Sequence, residues 1–207
     1  MRCFITATDT DAGKTVACAW AMLHGDARYW KPVQAGLEET DEATVRTLTG
    51  MGDERFHETV YALPEPLSPH ESARRAGIVI EMSKLELPGD GPLVVEGAGG
   101  LMVPLNNESL VIDFIKQTGL TAILVCRTTL GTINHSLLSL EALRAREIPI
   151  AGVILCGPDI PHNRAAIETY GKARVIAHIP PLDPLDRNAL LAVRPEIDLE
   201  KLSETSS

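Results

Sequence analysis

The sequence predicts a doubly wound α/β fold, with a largely parallel sheet and helices on both faces. Three observations carry this. Short β-type runs alternate with helical patterns along the whole chain. Several of those runs are apolar at nearly every position, as strands buried on both faces are. The 207 residues, 44% of them hydrophobic, suffice for one full core, so a single domain over 1–207 is expected.

Arg2–Ala7 (RCFITA) reads as the first strand and residues 13–24 as the first helix. A strand follows at 29–33 (YWKPV), then a helix at Asp41–Thr49. Residues 62–69 (ALPEPLSP) are rich in proline, which suits neither a central strand nor a helix interior, and they read as a long surface loop. The turn at 89–92 (GDGP) feeds a strand at 92–96, followed by a helix at 110–118 and a strand at 121–126. Ile133, Leu137, Leu140, Ala142 and Leu143 outline an apolar stripe on a helix at 132–147. Strand 150–155, helix 162–170 and strand 174–179 complete the alternation, and 203–207 reads as a frayed end.

Acidic residues outnumber basic ones by 28 to 19, a net charge of −9. Such a chain is poorly suited to gripping a phosphate backbone, so no nucleic-acid partner is expected. Nothing approaches the roughly 20 apolar residues of a membrane span, and the first residues show no secretory pattern. A cytoplasmic protein with no membrane partner is expected. Cys3, Cys18, Cys126 and Cys156 form no C-x-x-C pair and lack histidines at zinc spacing, so they read as small buried hydrophobes. His70 and His135 read as structural for the same reason.

The segment ATDTDAGKT at 7–15 follows an apolar strand and opens a helix, which is where a phosphate-binding loop belongs. Backbone N–H groups and the positive helix end face the phosphates, and Gly13 lets the backbone approach them. Lys14 reaches the terminal phosphates and the Thr15 hydroxyl can hold Mg²⁺. The usual spacing places a glycine at position 8, where Thr8 stands. A triphosphate with Mg²⁺ also wants a carboxylate at a strand end. Glu96 closes LVVE before Gly-Ala-Gly-Gly and fits that place. Asp41, on its own, reads as an ordinary helix N-cap. Lys31, before Pro32, reads equally well as a solvated lysine.

The segments ATDTDAGKT, KPVQAG, PLSPH, VVEGAGG, LGTINH and IPPL occur in this order. Over about residues 2–185 the set closely resembles the dethiobiotin synthetase family of the P-loop nucleoside triphosphatase superfamily. The resemblance implies an ATP-dependent ligase of biotin synthesis that takes 7,8-diaminopelargonic acid, CO₂ or bicarbonate, and ATP with Mg²⁺. It implies a carbamate, then a carbamic–phosphoric anhydride, then ring closure. It makes Lys14 and Lys31 the catalytic lysines. It gives Asp11, Ala12, Gly13, Lys14, Thr15 and Val16 to the triphosphate, and Thr15, Asp41 and Glu96 to the metal. Glu96, Gly97, Ala98 and Gly99 would line the nucleotide site with Asp41, and Cys156, Gly157, Pro180, Pro181 and Leu182 would stand near the base. Thr10, Lys31 and Ala35 would meet the diamine. Gly131, Thr132, Ile133 and Asn134 would capture its carboxylate across a homodimer interface.

Three positions depart from the family pattern. Ala7 replaces the loop's first glycine, Ala35 a hydroxyl residue, and Cys156 an asparagine that reads adenine. Residues 76–92 are also short for the family's helix there. Partner-controlled ATPases of the MinD/ParA type are the nearest rival. They carry a second lysine early in the loop, where this chain has Asp9, and a carboxylate cannot replace a cation aimed at phosphate.

Overall fold

The computed structural model describes residues 1–199, so the end expected to fray at 203–207 lies outside the described residues. β1 (Arg2–Ala7) lies in the interior of a seven-stranded sheet. Cys3, Ile5 and Ala7 enter one apolar core and Phe4 enters another on the opposite face. That alternation, with neither face left to solvent, is why the run is apolar throughout.

α1 (Lys14–Gly25), β2 (Arg28–Trp30), β3 (Val33–Ala35) and α2 (Asp41–Thr49) follow. Then come β4 (Phe56–His57), β5 (Tyr61–Leu63), α3 (Pro69–Arg75) and β6 (Leu93–Gly100). α4 (Val111–Thr118), β7 (Thr121–Arg127), α5 (Thr132–Ala145) and β8 (Ile150–Cys156) continue the alternation. α6 (Pro161–Gly171), β9 (Val175–Ile179) and α7 (Arg187–Ala192) end it. The sheet order is β4-β2-β6-β1-β7-β8-β9, and its pairings are parallel. α1, α2 and α7 pack on the Cys3–Ile5 face, α4 on the Phe4 face, and α5 and α6 over β7 and β8.

Four expectations change. The strand expected at 29–33 breaks at Lys31–Pro32. Proline has no N–H for a ladder, so β2 stops in the main sheet and β3 leaves to pair with β5 in a separate two-stranded sheet. Residues 62–69 are not a loop throughout: β5 takes Ala62 and Leu63, Leu63 is fully buried, and buried Pro69 opens α3, where its missing N–H costs nothing. On α5 the buried face runs through Thr132, Ser136, Leu140 and Leu143, while Ile133, Leu137 and Ala142 are only half-buried. α7 was not expected; its N-cap Asp186 accepts from the Ala189 N–H at 2.8 Å.

The chain steps from β1 to β2 on one side, fills in β6, then crosses to β7 on the other side. β1 therefore stands at a switch point of the sheet. A crevice opens there beyond the carboxyl ends of the strands.

Candidate active site

The loop after β1 begins without strain at Ala7, a fully buried core residue paired with Val125 and Gly100. No positive φ falls there, so alanine serves where the family pattern has glycine. The turn comes later, at Asp11 (φ 54°) and Gly13 (φ 95°). Gly13 is fixed twice: by that φ, and because a Cβ there would lie 2.9 Å from the Cys156 side chain. It caps α1 with no side-chain hydrogen bond, so the first N–H groups of α1 face outward as donors for an anion. Ala12 is buried in the core and can offer only its backbone.

The loop forms one wall of a cavity of about 730 Å³. Thr10, Asp11, Gly13, Lys14, Thr15 and Val16 line that wall. Lys31 comes from the β2–β3 break, Ala35 from the end of β3, Asp41 from the start of α2, and Ala98 and Gly99 from the end of β6. Residues 66–69, a stretch read as a plain loop from sequence, roof the cavity from the front of α3.

At its floor the polar groups converge. The Thr15 hydroxyl lies 2.7 Å from Asp41 Oδ1 and 3.1 Å from Glu96 Oε1. Lys31 Nζ lies 2.6 Å from Asp41 Oδ2 and 3.2 Å from Glu96 Oε1, and donates to the Gly97 carbonyl at 3.0 Å. Lys31 is therefore no solvated lysine: it is almost fully buried. Burial opposes its charge, but Glu96 and Asp41 outweigh burial and raise its pKa above the ordinary lysine range. Burial likewise opposes the Asp41 charge, and Lys31, Thr15 and Lys14 outweigh it, so that carboxyl lies below the usual range. Lys14 moves the other way. Burial and the Lys31 charge lower its pKa, and its ammonium curls onto the Asp9 carbonyl at 3.2 Å.

Asp41 is not the N-cap that it resembled. Thr40 takes that place, its hydroxyl accepting from the Ala43 N–H at 3.2 Å, and this leaves the Asp41 carboxylate free for the site. Gln34 was missed from sequence. Its amide donates to the Ala35 and Gly36 carbonyls at 3.2 and 3.1 Å and accepts from the Asp41 N–H at 3.3 Å, tying the loop of residues 35–40 to the start of α2. Tyr29 was missed too: fully buried, it donates to Glu96 Oε2 at 2.8 Å. Burial and the Glu96 charge push its pKa well up, so the phenol keeps its proton. A buried tyrosine hydroxyl needs a partner, and a strand ending in an acid was the signal for it.

Asp9, where the rival reading needs a lysine, pairs with Arg127. Among the described residues, no cluster of three or more His, Cys, Asp or Glu could hold a metal. What converges here is of another kind: the Asp41 and Glu96 carboxylates with the Thr15 hydroxyl. It already accommodates the Lys31 ammonium, and an all-oxygen donor set with phosphate and water as further ligands suits Mg²⁺.

Other expected site residues lie outside the cavity. Cys156 ends β8 against Gly13, its thiol pushed up to about 12 by burial. Gly157 (φ 131°) donates its N–H to the Ile179 carbonyl and meets His178 Nε2 at 2.8 Å, and Pro180, Pro181 and Leu182 follow β9. Gly131 caps α5 in a left-handed conformation, Thr132 is buried, Ile133 is half-buried and Asn134 is exposed. A single chain does not bring Gly131–Asn134 to the cavity. Residues 76–92 hold only a short 3₁₀ turn at Met82–Lys84, in line with the missing family helix.

A parallel sheet that offers an uncapped glycine loop beside two carboxylates and a hydroxyl belongs to the P-loop nucleotide-binding class. A family model described as an AAA domain matches residues 1–189. An ATP-dependent dethiobiotin synthetase of Paramagnetospirillum magneticum is 47% identical over 93% of this chain and 94% of its own. Another of the same name from Rhodopseudomonas palustris (strain BisB18) is 47% identical over 92% of each chain. The chain belongs to the dethiobiotin synthetase family. A biotin biosynthesis bifunctional protein of Bordetella avium is 50% identical over 90% of this chain but only 41% of its own length. Among solved structures, the septum site-determining protein MinD of Pyrococcus horikoshii, complexed with Mg-ADP, aligns at a TM-score of 0.54 and 18% identity, covering 100% of this chain and 90% of that one. A ParA family ATPase of Chlorobium tepidum aligns at 0.53 and 12% identity, covering 92% and 88%. Those two likenesses speak to the fold alone. Among the described residues, no helix is long and apolar enough to cross a membrane.

Proposed function

We propose that this enzyme is an ATP-dependent dethiobiotin synthetase acting on 7,8-diaminopelargonic acid, CO₂ and ATP. The observation that carries the reading is the convergence of Lys31, Thr15, Asp41 and Glu96 beneath one cavity whose wall is the phosphate loop.

The chemistry needs no nucleophilic side chain. One substrate amine takes up CO₂ as a carbamate and releases a proton. A carbamate oxygen attacks the γ-phosphorus of ATP and the bond to ADP breaks. The second amine then attacks the carbonyl carbon of the carbamic–phosphoric anhydride, closing the cyclic urea and expelling phosphate. The obstacle is two anions brought together, and it is met by positioning and positive charge. The N–H groups at the start of α1 and Lys14 hold the phosphates. Lys31, kept charged by two carboxylates that outweigh its burial, stands between the loop and Ala35 and faces both carbamate and transferring phosphoryl group. Bound Mg²⁺, held by Thr15, Asp41 and Glu96, would supply further neutralisation of phosphate charge. Thr10 and Ala35 border the space left for the diamine. Cys156, Gly157, Pro180, Pro181 and Leu182 lie past Gly13 on the side assigned to the base.

The substrate carboxylate would be taken by Gly131, Thr132, Ile133 and Asn134 of a second copy. Support comes from Gly131 and Asn134, exposed at the start of α5, and from Leu138 and Met102, exposed apolar residues beside a second cavity of about 350 Å³ next to Thr10. That surface suits burial against another chain.

Isotope-labelled bicarbonate tests the reading. The label should appear in the cyclic urea only with the diamine and MgATP both present. Release of phosphate with no label in any product would overturn it.

A further inference from the structure

We propose that Tyr29 is a positioning residue for Glu96, fixing one carboxylate oxygen so that the other faces the cation site. The proposal rests on the reading of Glu96 as a metal ligand. In the β2–β6 pairing Tyr29 stands beside Val94. Residues two apart on a strand share a face, so Glu96 is the diagonal neighbour of Tyr29, within reach of a long side chain. The two oxygens of Glu96 are divided. Oε2 accepts from the Tyr29 phenol at 2.8 Å, while Oε1 lies 3.1 Å from the Thr15 hydroxyl and 3.2 Å from Lys31 Nζ. Both partners are almost completely buried, so water is not at hand to replace the phenol. The Tyr29 ring is held in turn by Phe56, with centroids 5.8 Å apart. The buried Cys18 thiol also reaches Glu96, but a thiol is a weak donor, so a carboxylate without the phenol can rotate and turn Oε1 away from the Thr15 hydroxyl. Groups that orient a ligand in this way typically contribute about ten- to a hundredfold to metal affinity.

Tyr29→Phe keeps the ring and removes only the hydroxyl. Mn²⁺ is titrated into the protein with ADP, with free Mn²⁺ read by electron paramagnetic resonance, in wild type, Tyr29→Phe, Glu96→Gln and the double variant. ADP affinity is measured separately without metal. The proposal expects roughly tenfold weaker Mn²⁺ binding in Tyr29→Phe and unchanged metal-free ADP affinity. It also expects a double variant no weaker than Glu96→Gln alone. If Glu96→Gln loses Mn²⁺ affinity and Tyr29→Phe does not, the positioning role falls and the metal site stands. If Glu96→Gln binds Mn²⁺ as wild type does, the metal reading of Glu96 falls and takes the proposal with it. Additive losses in the double variant, or an equal loss of metal-free ADP affinity in Tyr29→Phe, would also overturn it.

Discussion

Lys14 and Lys31 differ in environment, and that difference predicts different phenotypes. Lys14 sits in the loop with its pKa lowered by burial and by Lys31, while Lys31 is bound to two carboxylates. Lys14→Ala should weaken nucleotide binding and turnover together. Lys31→Ala should lower kcat by about a hundredfold or more, the scale of one transition-state contact, with a smaller change in nucleotide affinity. Near-normal kcat in Lys31→Ala, in protein shown to be folded, would remove its role. Cys156 carries a second prediction. A neutral hydrogen bond contributes roughly 0.5–1.5 kcal/mol, so two lost at the base edge mean about ten- to a hundredfold weaker discrimination. Wild type should therefore separate ATP, GTP and CTP poorly. Cys156→Asn should favour ATP, mainly through KM; kcat/KM for the three nucleotides decides it, and a strongly ATP-selective wild type refutes it. At this scale the sequence was partly legible. GKT after a strand and Glu96 before glycines announced themselves. Lys31 and Asp41 did not, because their meaning lies in contacts across 65 positions from Lys31 to Glu96 and 26 from Thr15 to Asp41. Gln34 lacked any local signal, and the signal for Tyr29 lay in another strand, the one that carries Glu96.

Among the elements, the break after β2 does most for the site. Pro32 ends the ladder, turns Lys31 beneath the loop and sends β3 away to β5, so the chain returns over the cavity before α2. The strand pattern at 29–33 hid this, because a proline in an apolar run marks an end without saying where the chain goes next. Residues 62–69 misled in the same way: prolines suit a helix start as well as a loop. The long apolar runs of β1, β6, β7 and β8 were legible because burial on both faces leaves one reading. Gln34 governs the returning segment. Gln34→Ala leaves the Asp41 N–H and two loop carbonyls, all half-buried, without their partner, which costs about 0.5–1.5 kcal/mol. A matching fall in stability with a roughly tenfold loss in kcat/KM for the diamine is expected. Full activity would show that Thr40 alone holds α2 in place.

For the whole molecule, the proposed reaction is divided between the two ends of the diamine. In that proposal its amines would react beneath the phosphate loop, and its carboxylate would be held by α5 of a second copy. Sedimentation at assay concentration should find a dimer, and Asn134→Ala should raise KM for the diamine while leaving that for ATP near normal; a fully active monomer contradicts this. That the sheet is parallel was readable from the alternation of strands and helices and from runs apolar at nearly every position; its strand order was not. The proposed dimer rests on the LGTINH resemblance, since one chain leaves Gly131–Asn134 away from its own cavity. The central claim is that phosphoryl transfer waits for a carbamate made on the diamine. Phosphate release from MgATP, followed with diamine and bicarbonate added singly and together, tests it most directly. Release should be near background with either alone and rise sharply only with both; equal release without the diamine would contradict the account.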